Sequence, residues 1–391
     1  NLGFQYDANY GGFSLAPKSV SFTYLRLIDL VHETNGVLPD LVLEMKSKTL
    51  NALLHSSVRD FIGGGFFSAA TEETWTIPDF RKSALVQADA IGYLSQYPEY
   101  EAVVEETAQS LVDDFKTQQG FYSEIIVPRN EPAEKSEAYT WTFEEVSRIL
   151  SPEELAAFVE RFGVKPKGNV SEELDVTGVF QGRNILRQVS DGPRSLSLES
   201  AVEKLKLQRK DQIPALLEEV SSVITNLIVA SALYQAGGDY RGEAEGLMSR
   251  IWETFWDDDS KRLYSSTQNS IVSETEASSK GYALLVSALL DFGKTDEAEA
   301  VQSVLSDRFS SDTGLVFGGP VDEPVLPARL YSFLETDAGS AIAIVLENLG
   351  RLSELNSEDD SSDIIKSILS QLPEEVSYAP EQFLYLLLSA H

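Results

Sequence analysis

Ile62–Ala90 reads IGGGFFSAATEETWTIPDFRKSALVQADA, and this stretch decides the fold. Three glycines and two phenylalanines end one helix, and a Trp and a Pro lead into the next. Upstream, Leu41–Phe61 reads as an amphipathic helix, with Leu43, Leu50, Leu54, Val58 and Phe61 at helical spacings. Downstream, Pro78 suits the first turn of a helix, where its missing N–H costs nothing. Ala84, Leu85, Ala88, Ile91 and Leu94 then form a second apolar face. The unit is helix, Gly-aromatic turn, helix. The glycines do not read as a phosphate cradle, because no strand precedes them and no Gly-Lys-Ser/Thr follows.

The turn recurs. YGGF lies at 10–13, GGGFF at 63–67, GFYS at 120–123, GVFQGRN at 178–184, RLYSS at 262–266 and GLVFGG at 314–319. Counted from Gly12, Gly64, Gly120, Gly182, Leu263 and Gly314, the intervals are 52, 56, 62, 81 and 51 residues, the length of a helical hairpin plus a connection. Apolar periodicity predicts helices near 19–33, 41–60, 79–96, 99–118, 198–209, 213–236, 241–256, 276–292, 295–309, 336–354, 361–371 and 380–390. Paired in order they make six hairpins, and six hairpins in a ring make an all-α (α/α)6 toroid. A shorter pair at 143–150 and 152–161, started by Ser151-Pro152-Glu153-Glu154, reads as part of a small helical and β insertion around 142–195. Short strands are expected near 63–78, 121–141 and 175–190. No stretch resembles a domain linker, so residues 1–391 read as one domain. Glycosidases and sugar epimerases share this architecture, but a step from it to sugar chemistry is analogy alone.

Composition narrows the chemistry. Thirty-one Lys and Arg face 62 Asp and Glu, a net charge of −31 that repels nucleic acid and anionic membranes. There is no Cys, hence no disulfide, thiolate nucleophile or Cys-ligated metal. His32, His55 and His391 form no ligand pair, so neither a metal nor a cofactor is expected. No run of 18 apolar residues exists. These facts leave the compartment open, with the cytoplasm favoured. The chain begins at Asn1 without Met, and the native protein is expected to extend N-terminally.

Several segments carry a family resemblance: GGFSLAPKS at 11–19, GGGFF at 63–67 with Trp75, Pro78, Phe80 and Lys82, GFYS at 120–123 with AYTWT at 138–142, Gly168-Asn169, FQGRNIL at 180–186, Asn226, and Tyr282-Ala283. In this order they resemble the C-terminal (α/α)6 domain of the thioredoxin-domain proteins related to bacterial YyaL and to spermatogenesis-associated protein 20. The resemblance implies a thioredoxin-like domain as partner, in cis or in trans. The chain departs from that pattern at polar positions. Asp79 stands for the family's His, Arg81 for a Glu, and Val86-Gln87 for Asp-Asn. Ile125-Ile126-Val127 replaces an acidic run, and Glu218-Glu219-Val220 replaces Asp-Asp-Lys.

Two functions compete. The first is a non-catalytic binding or scaffold module, a toroid that has lost its polar cleft groups. The second is a carbohydrate-active enzyme, hydrolase- or epimerase-like. Glycoside hydrolysis needs two opposed carboxylates roughly 5–10 Å apart, and Asp79, Asp89, Glu218 and Glu219 are the acids that motif position brings near the cleft. Asp79, Glu218 and Glu219 are the catalytic candidates. An epimerase using a His pair is not supported by three scattered His. For ligand binding, Trp75, Tyr122 and Trp141 offer rings that could stack on a sugar face or plug the barrel end as core. Lys18, Lys82 and Asn226 stand at motif positions as candidate ligand donors.

Overall fold

The computed structural model describes residues 5–123, 125–127, 137–192, 195–210, 216–217, 220–268, 271–321, 330–331, 333, 335, 339–355, 361–378 and 382–389. Their helices, in chain order, are α1 (Thr23–Asn35), α2 (Asp40–His55), α3 (Ala84–Leu94), α4 (Glu101–Ser110, extended by a wider turn over Leu111–Phe115), α5 (Phe143–Ile149), α6 (Pro152–Phe162), α7 (Leu196–Lys210), α8 (Val223–Ala236), α9 (Tyr240–Phe255), α10 (Ser279–Asp291), α11 (Thr295–Phe309), α12 (Ala341–Leu355), α13 (Ser362–Leu369), α14 (Glu375–Tyr378) and α15 (Leu384–Ser389).

Six of them form an inner ring. In ring order they are α1, α3, α8, α10, α12 and α15, and α15 packs back on α1. An ion pair between Arg26 and Asp89 joins α1 to α3. Outside lie α2, α4, α9, α11 and α13, each against the inner helix before it. The division follows the sequence. VITNLIVASALYQA in α8 and AIAIVLENLGRLSEL in α12 are apolar over most of their surface, as helices buried on several sides must be. Outer helices keep one apolar stripe, such as Leu247, Met248, Ile251 and Phe255 of α9. One large core runs through both layers. Inner helices pass to outer ones through short turns closed by a glycine at positive φ, as at Gly36 (76°) and Gly293 (70°). Outer helices pass to inner ones through the long connections, all at the opposite end of the ring.

Those connections repeat one device. After α2, α4, α9 and α11 the backbone N–H groups of Phe67, Ser123, Tyr264 and Phe317 donate to the carbonyls of Val58, Phe115, Phe255 and Phe309. Between these ends the chain reverses through antiparallel bridges Arg59–Phe66, Lys116–Tyr122, Trp256–Leu263 and Ser310–Val316. The reversal needs a left-handed residue. Gly120 (81°) and Gly314 (84°) supply it in two copies, whereas the copy after α9 uses Lys261 (54°).

The (α/α)6 class expected from the recurrence is the fold observed, and short strands occur at 69–70, 125–127, 141–142 and 183–184. Three expectations are corrected. The 198–209 helix, α7, is not a ring member; it packs on α6, and α5–α7 close a satellite core around Val146, Phe158, Phe162 and Leu205. Pro78 does not open a helix: it sits in a bridge to Ala70, and Asp79 N donates to the Ala69 carbonyl. Helix α3 starts only at Ala84, where the Ser83 hydroxyl accepts from Leu85 N, because Lys82-Ser83 pair with Ile125-Ile126 as strands. Likewise α8 begins at Val223 rather than 213, since Val220–Ser222 pair with Ser266–Gln268.

Candidate functional site

Three inner helices reach back from their fourth residue to the turns just described. On α3, Gln87 Oε1 accepts from Phe66 N at 2.7 Å, and Nε2 donates to the Phe66 and Ser83 carbonyls at 2.8 and 3.0 Å. On α8, Asn226 Oδ1 accepts from Tyr122 N at 2.7 Å, and Nδ2 donates to the Tyr122 and Ser222 carbonyls at 3.3 and 2.8 Å. On α10, the Tyr282 hydroxyl accepts from Leu263 N at 2.9 Å and donates to Glu276 at 2.7 Å. Asn226 is thus a fastener between turn and helix, with both ends of its amide used.

The other sequence candidates are also engaged. Lys18 is fully buried and donates to Asp7 at 2.5 Å and to the Gly11 carbonyl at 2.8 Å, under the ring of Trp75. Trp75 Nε1 donates to the same carbonyl at 3.2 Å. Lys82, 2% exposed, lies in a buried ionic hub. Its Nζ is 2.8 Å from Asp60 and 3.4 Å from Asp114, and Asp60 holds Arg209 of α7 through two 2.8 Å bonds. Burial opposes charge on Asp60, but Arg209 and Lys82 overcome it and hold the carboxyl far below its ordinary range. A side chain on Gly63 would overlap the Arg209 guanidinium, so the second role of the Gly run is to admit this ion pair. Tyr122 is buried, and its hydroxyl donates to Glu243 at 3.0 Å. Trp141 is buried in the satellite core. Asp79 accepts from Arg81 Nε at 2.9 Å. Glu218 and Glu219 lie outside the described residues. The described candidates therefore form several separate pairs in the long connections and converge on no single cleft.

What does converge is the axis of the ring. A cavity of about 240 Å3 is walled by all six inner helices. Its apolar side includes Leu85, Leu227, Leu284 and Ile344, and its charged groups are Arg26, Asp89, Asp291, Glu347 and Arg351. Arg26 Nη2 donates to the Asp89 carbonyl at 2.8 Å besides pairing with its carboxylate. Arg351 Nη2 donates to Asp291 at 2.7 Å. Glu347 stands 4.0 Å from Arg351 Nη1. Its side chain is 55% exposed and contributes to the cavity's lining. Confinement by the surrounding helices raises its pKa above the usual carboxylate value; Arg351 opposes that shift and Asp291 adds to it. A larger cavity, about 340 Å3, lies outside the ring between the Gly63-Gly64 turn, α4 and α7.

Sequence reasoning placed Asp89 near the cleft but missed Arg26, Asp291, Glu347 and Arg351. The available signal was a charge inside an otherwise apolar helical run, as in AIAIVLENLGR. Among the described residues no cluster of three His, Asp or Glu is placed to hold a metal, and no helix is long and apolar enough to cross a membrane.

No family model matches the chain. Among curated proteins it is similar to rat spermatogenesis-associated protein 20, 23% identical over 431 aligned residues covering 96% of this chain and 54% of the relative. The human protein of that name is 28% identical over 203 residues, 46% of this chain and 26% of the relative. The chain thus spans about half the length of these relatives, or less. Among solved structures it resembles cellobiose 2-epimerase from Bacillus thermoamylovorans, with a TM-score of 0.57 and 11% identity over 96% of this chain and 83% of that one. It also resembles a sugar epimerase from a ruminal bacterium, with a TM-score of 0.55 and 10% identity over 94% and 82% of the two chains. A D-mannose isomerase gives the same score and identity over 94% and 81%. At such identities these structures speak for the fold alone. The chain is accordingly a divergent relative of spermatogenesis-associated protein 20, folded as an (α/α)6 toroid.

Proposed function

We propose that this toroid is a non-catalytic binding or scaffold module serving a thioredoxin-like domain, in cis or in trans, with a small carbohydrate or other polar molecule as its ligand. The observation that carries the reading is the use made of the polar residues in the long connections. Gln87, Asn226, Lys18 and Lys82 are each saturated by backbone or carboxylate partners inside the protein. Groups so committed fix the architecture and have little capacity left for general acid–base work, which demands a proton held at a matched pKa beside substrate.

One observation favours the competing reading of a carbohydrate-active enzyme. Glu347 has a raised pKa and lines the axial cavity together with Asp291 and Asp89, and glycoside hydrolysis works through a pair of carboxyl groups. The two readings separate by NMR on aryl-glycosides and free sugars with the wild-type chain, Asp79→Asn and Glu347→Gln. The module reading expects no conversion by any of the three. Conversion that disappears in Glu347→Gln, or in Asp79→Asn, replaces it with the enzyme reading.

A further inference from the structure

We propose that the axial cavity is a binding site entered from the short-turn end of the ring, opposite the long connections. It takes a small neutral molecule with a polar head and an apolar end, such as a short-chain alkyl glycoside. The inference rests on the binding reading above and deepens it.

The walls are layered along the axis. Every inner helix is entered from a long connection, so all of them run the same way. The positions that line the cavity recur at helical spacing, as Leu227, Ser231 and Gln235 on α8, Leu284, Ser287 and Asp291 on α10, and Ile344, Glu347 and Arg351 on α12. Each stripe begins apolar and ends polar. Leu227, Leu284 and Ile344, with Leu85 of α3, therefore form a floor toward the long connections. Gln235, Asp291 and Arg351 form a rim toward the short turns.

Exposure follows the same direction. On α12 the six residues Ala341–Leu346 are at most 8% exposed. Six residues make more than one full turn, so even the side facing the axis is covered at that height. Beyond them the side chains of Glu347 and Arg351 are 55% and 30% exposed. On α8, Leu227 is buried and Gln235 is exposed. Tyr385 lies across the covered end. Its hydroxyl accepts from Thr23, the first residue of α1, at 3.2 Å. A Cβ on Gly339, just ahead of α12, would lie 3.0 Å from its ring. The charged wall groups pair with one another, Arg26 with Asp89 and Arg351 with Asp291. Beside them the wall offers the neutral Ser231, Ser287 and Gln235. A ligand that fits this order enters with its apolar end leading and keeps its hydroxyls near the rim. About 240 Å3 limits it to one sugar ring with a short substituent.

Thiol labelling tests this, because the chain has no Cys of its own. Ser287→Cys places a thiol midway down the cavity wall. Two bulky substitutions are then added separately. Gln235→Trp crowds the rim, and Lys280→Trp lies one helical turn before Leu284, toward the long connections. With 2-hydroxyethyl methanethiosulfonate the folded Ser287→Cys protein should label. Gln235→Trp should slow the reaction about tenfold or more and Lys280→Trp should leave it within about twofold, since thiol reactivity follows access. Should Lys280→Trp melt early, the Gln235→Trp arm decides alone, because an exposed position tolerates the ring. No labelling of the folded protein, an unchanged rate in Gln235→Trp, or slowing by Lys280→Trp instead overturns the assigned entrance. Ethyl β-glucoside should protect the thiol saturably and about fivefold better than glucose, because its ethyl group reaches the apolar floor. Equal protection by glucose overturns the assigned orientation. Labelling that obeys the rim but that no sugar slows overturns the assigned ligand, and with it the ligand of the reading above, while the entrance stands.

Discussion

Lys261 occupies the position that glycine fills in the equivalent turns. At φ 54° its Cβ crowds the backbone, at a cost of about 1–2 kcal/mol for a residue with a side chain. Lys261→Gly should therefore stabilise the protein, by about 1 kcal/mol once the greater freedom of the unfolded glycine is subtracted. Gly120→Ala should do the reverse: φ is 81°, and the added Cβ would lie 3.0 Å from Arg250 Nε. Chemical denaturation of both variants checks the pair of signs. Asn226 offers a second test at this scale. If it fastens Tyr122, Asn226→Leu leaves the N–H and C=O of Tyr122 buried without these partners, at about 1–3 kcal/mol for each group. Melting should fall steeply. A variant that melts normally but loses ligand binding would instead return Asn226 to the role its motif position suggested. The sequence displayed this residue plainly but could not reveal its task, because the partner backbone lies 104 positions away.

Elements were legible wherever one segment carries its own instructions. Helices α5 and α6 announce themselves through Thr142 with Glu145 and Ser151 with Glu154, and both capping boxes form. Where a boundary depends on a distant strand the reading slipped, as at Pro78, because pairing of Lys82-Ser83 with Ile125-Ile126 is invisible to local periodicity. Periodicity also says that α7 has an apolar face but not what covers it, so its place in the satellite rather than the ring could not be read. Glu154 gives a pH test of that satellite. Lys204 first, then the Ser151 N–H and the Ser200 hydroxyl, lower its pKa from 4.5 to about 2. A depressed folded pKa contributes stability above the unfolded value and loses it as pH falls through the folded one. The α6–α7 contact should thus hold above pH 4.5 and weaken progressively toward pH 2. Near-ultraviolet circular dichroism of Trp141 in the satellite should follow that change, and Glu154→Gln should remove its dependence on this carboxyl. In the hub that ties the satellite to the ring, Asp60→Asn leaves Lys82 without its closest counter-charge and Arg209 without its carboxylate partner. A loss of about 3–5 kcal/mol is expected, read by urea denaturation.

The ring was readable from the recurrence of the Gly-aromatic turn, since the intervals 12–64, 64–120 and 263–314 each span one ring hairpin that cannot bury its own apolar face, whereas the expected turn at 178–184 follows the satellite helices α5 and α6 and closes no ring hairpin. The axial cavity was not. Arg26, Asp89, Asp291, Glu347 and Arg351 sit on four helices that meet only when the ring closes. Closure itself falls to α15, a helix of six residues between α12 and α1. Glu335 accepts from Tyr385 N and Leu386 N at 3.0 and 2.7 Å, supplying partners for backbone donors that the first turn of a helix leaves free. Thr23 of α1 donates to the Tyr385 hydroxyl at 3.2 Å. Phe383 and Leu386 are buried in the main core, and full burial of such side chains contributes about 1.5–3 kcal/mol each. Removing residues 373–391 should open the ring beside α1 and α12, lower the melting temperature and expose apolar surface that binds anilinonaphthalene sulfonate. Because Tyr385 also walls the axial cavity, any ligand held there should be lost with it. Unchanged melting with no dye binding would mean that five inner helices suffice, and that α15 seals the toroid without holding it together.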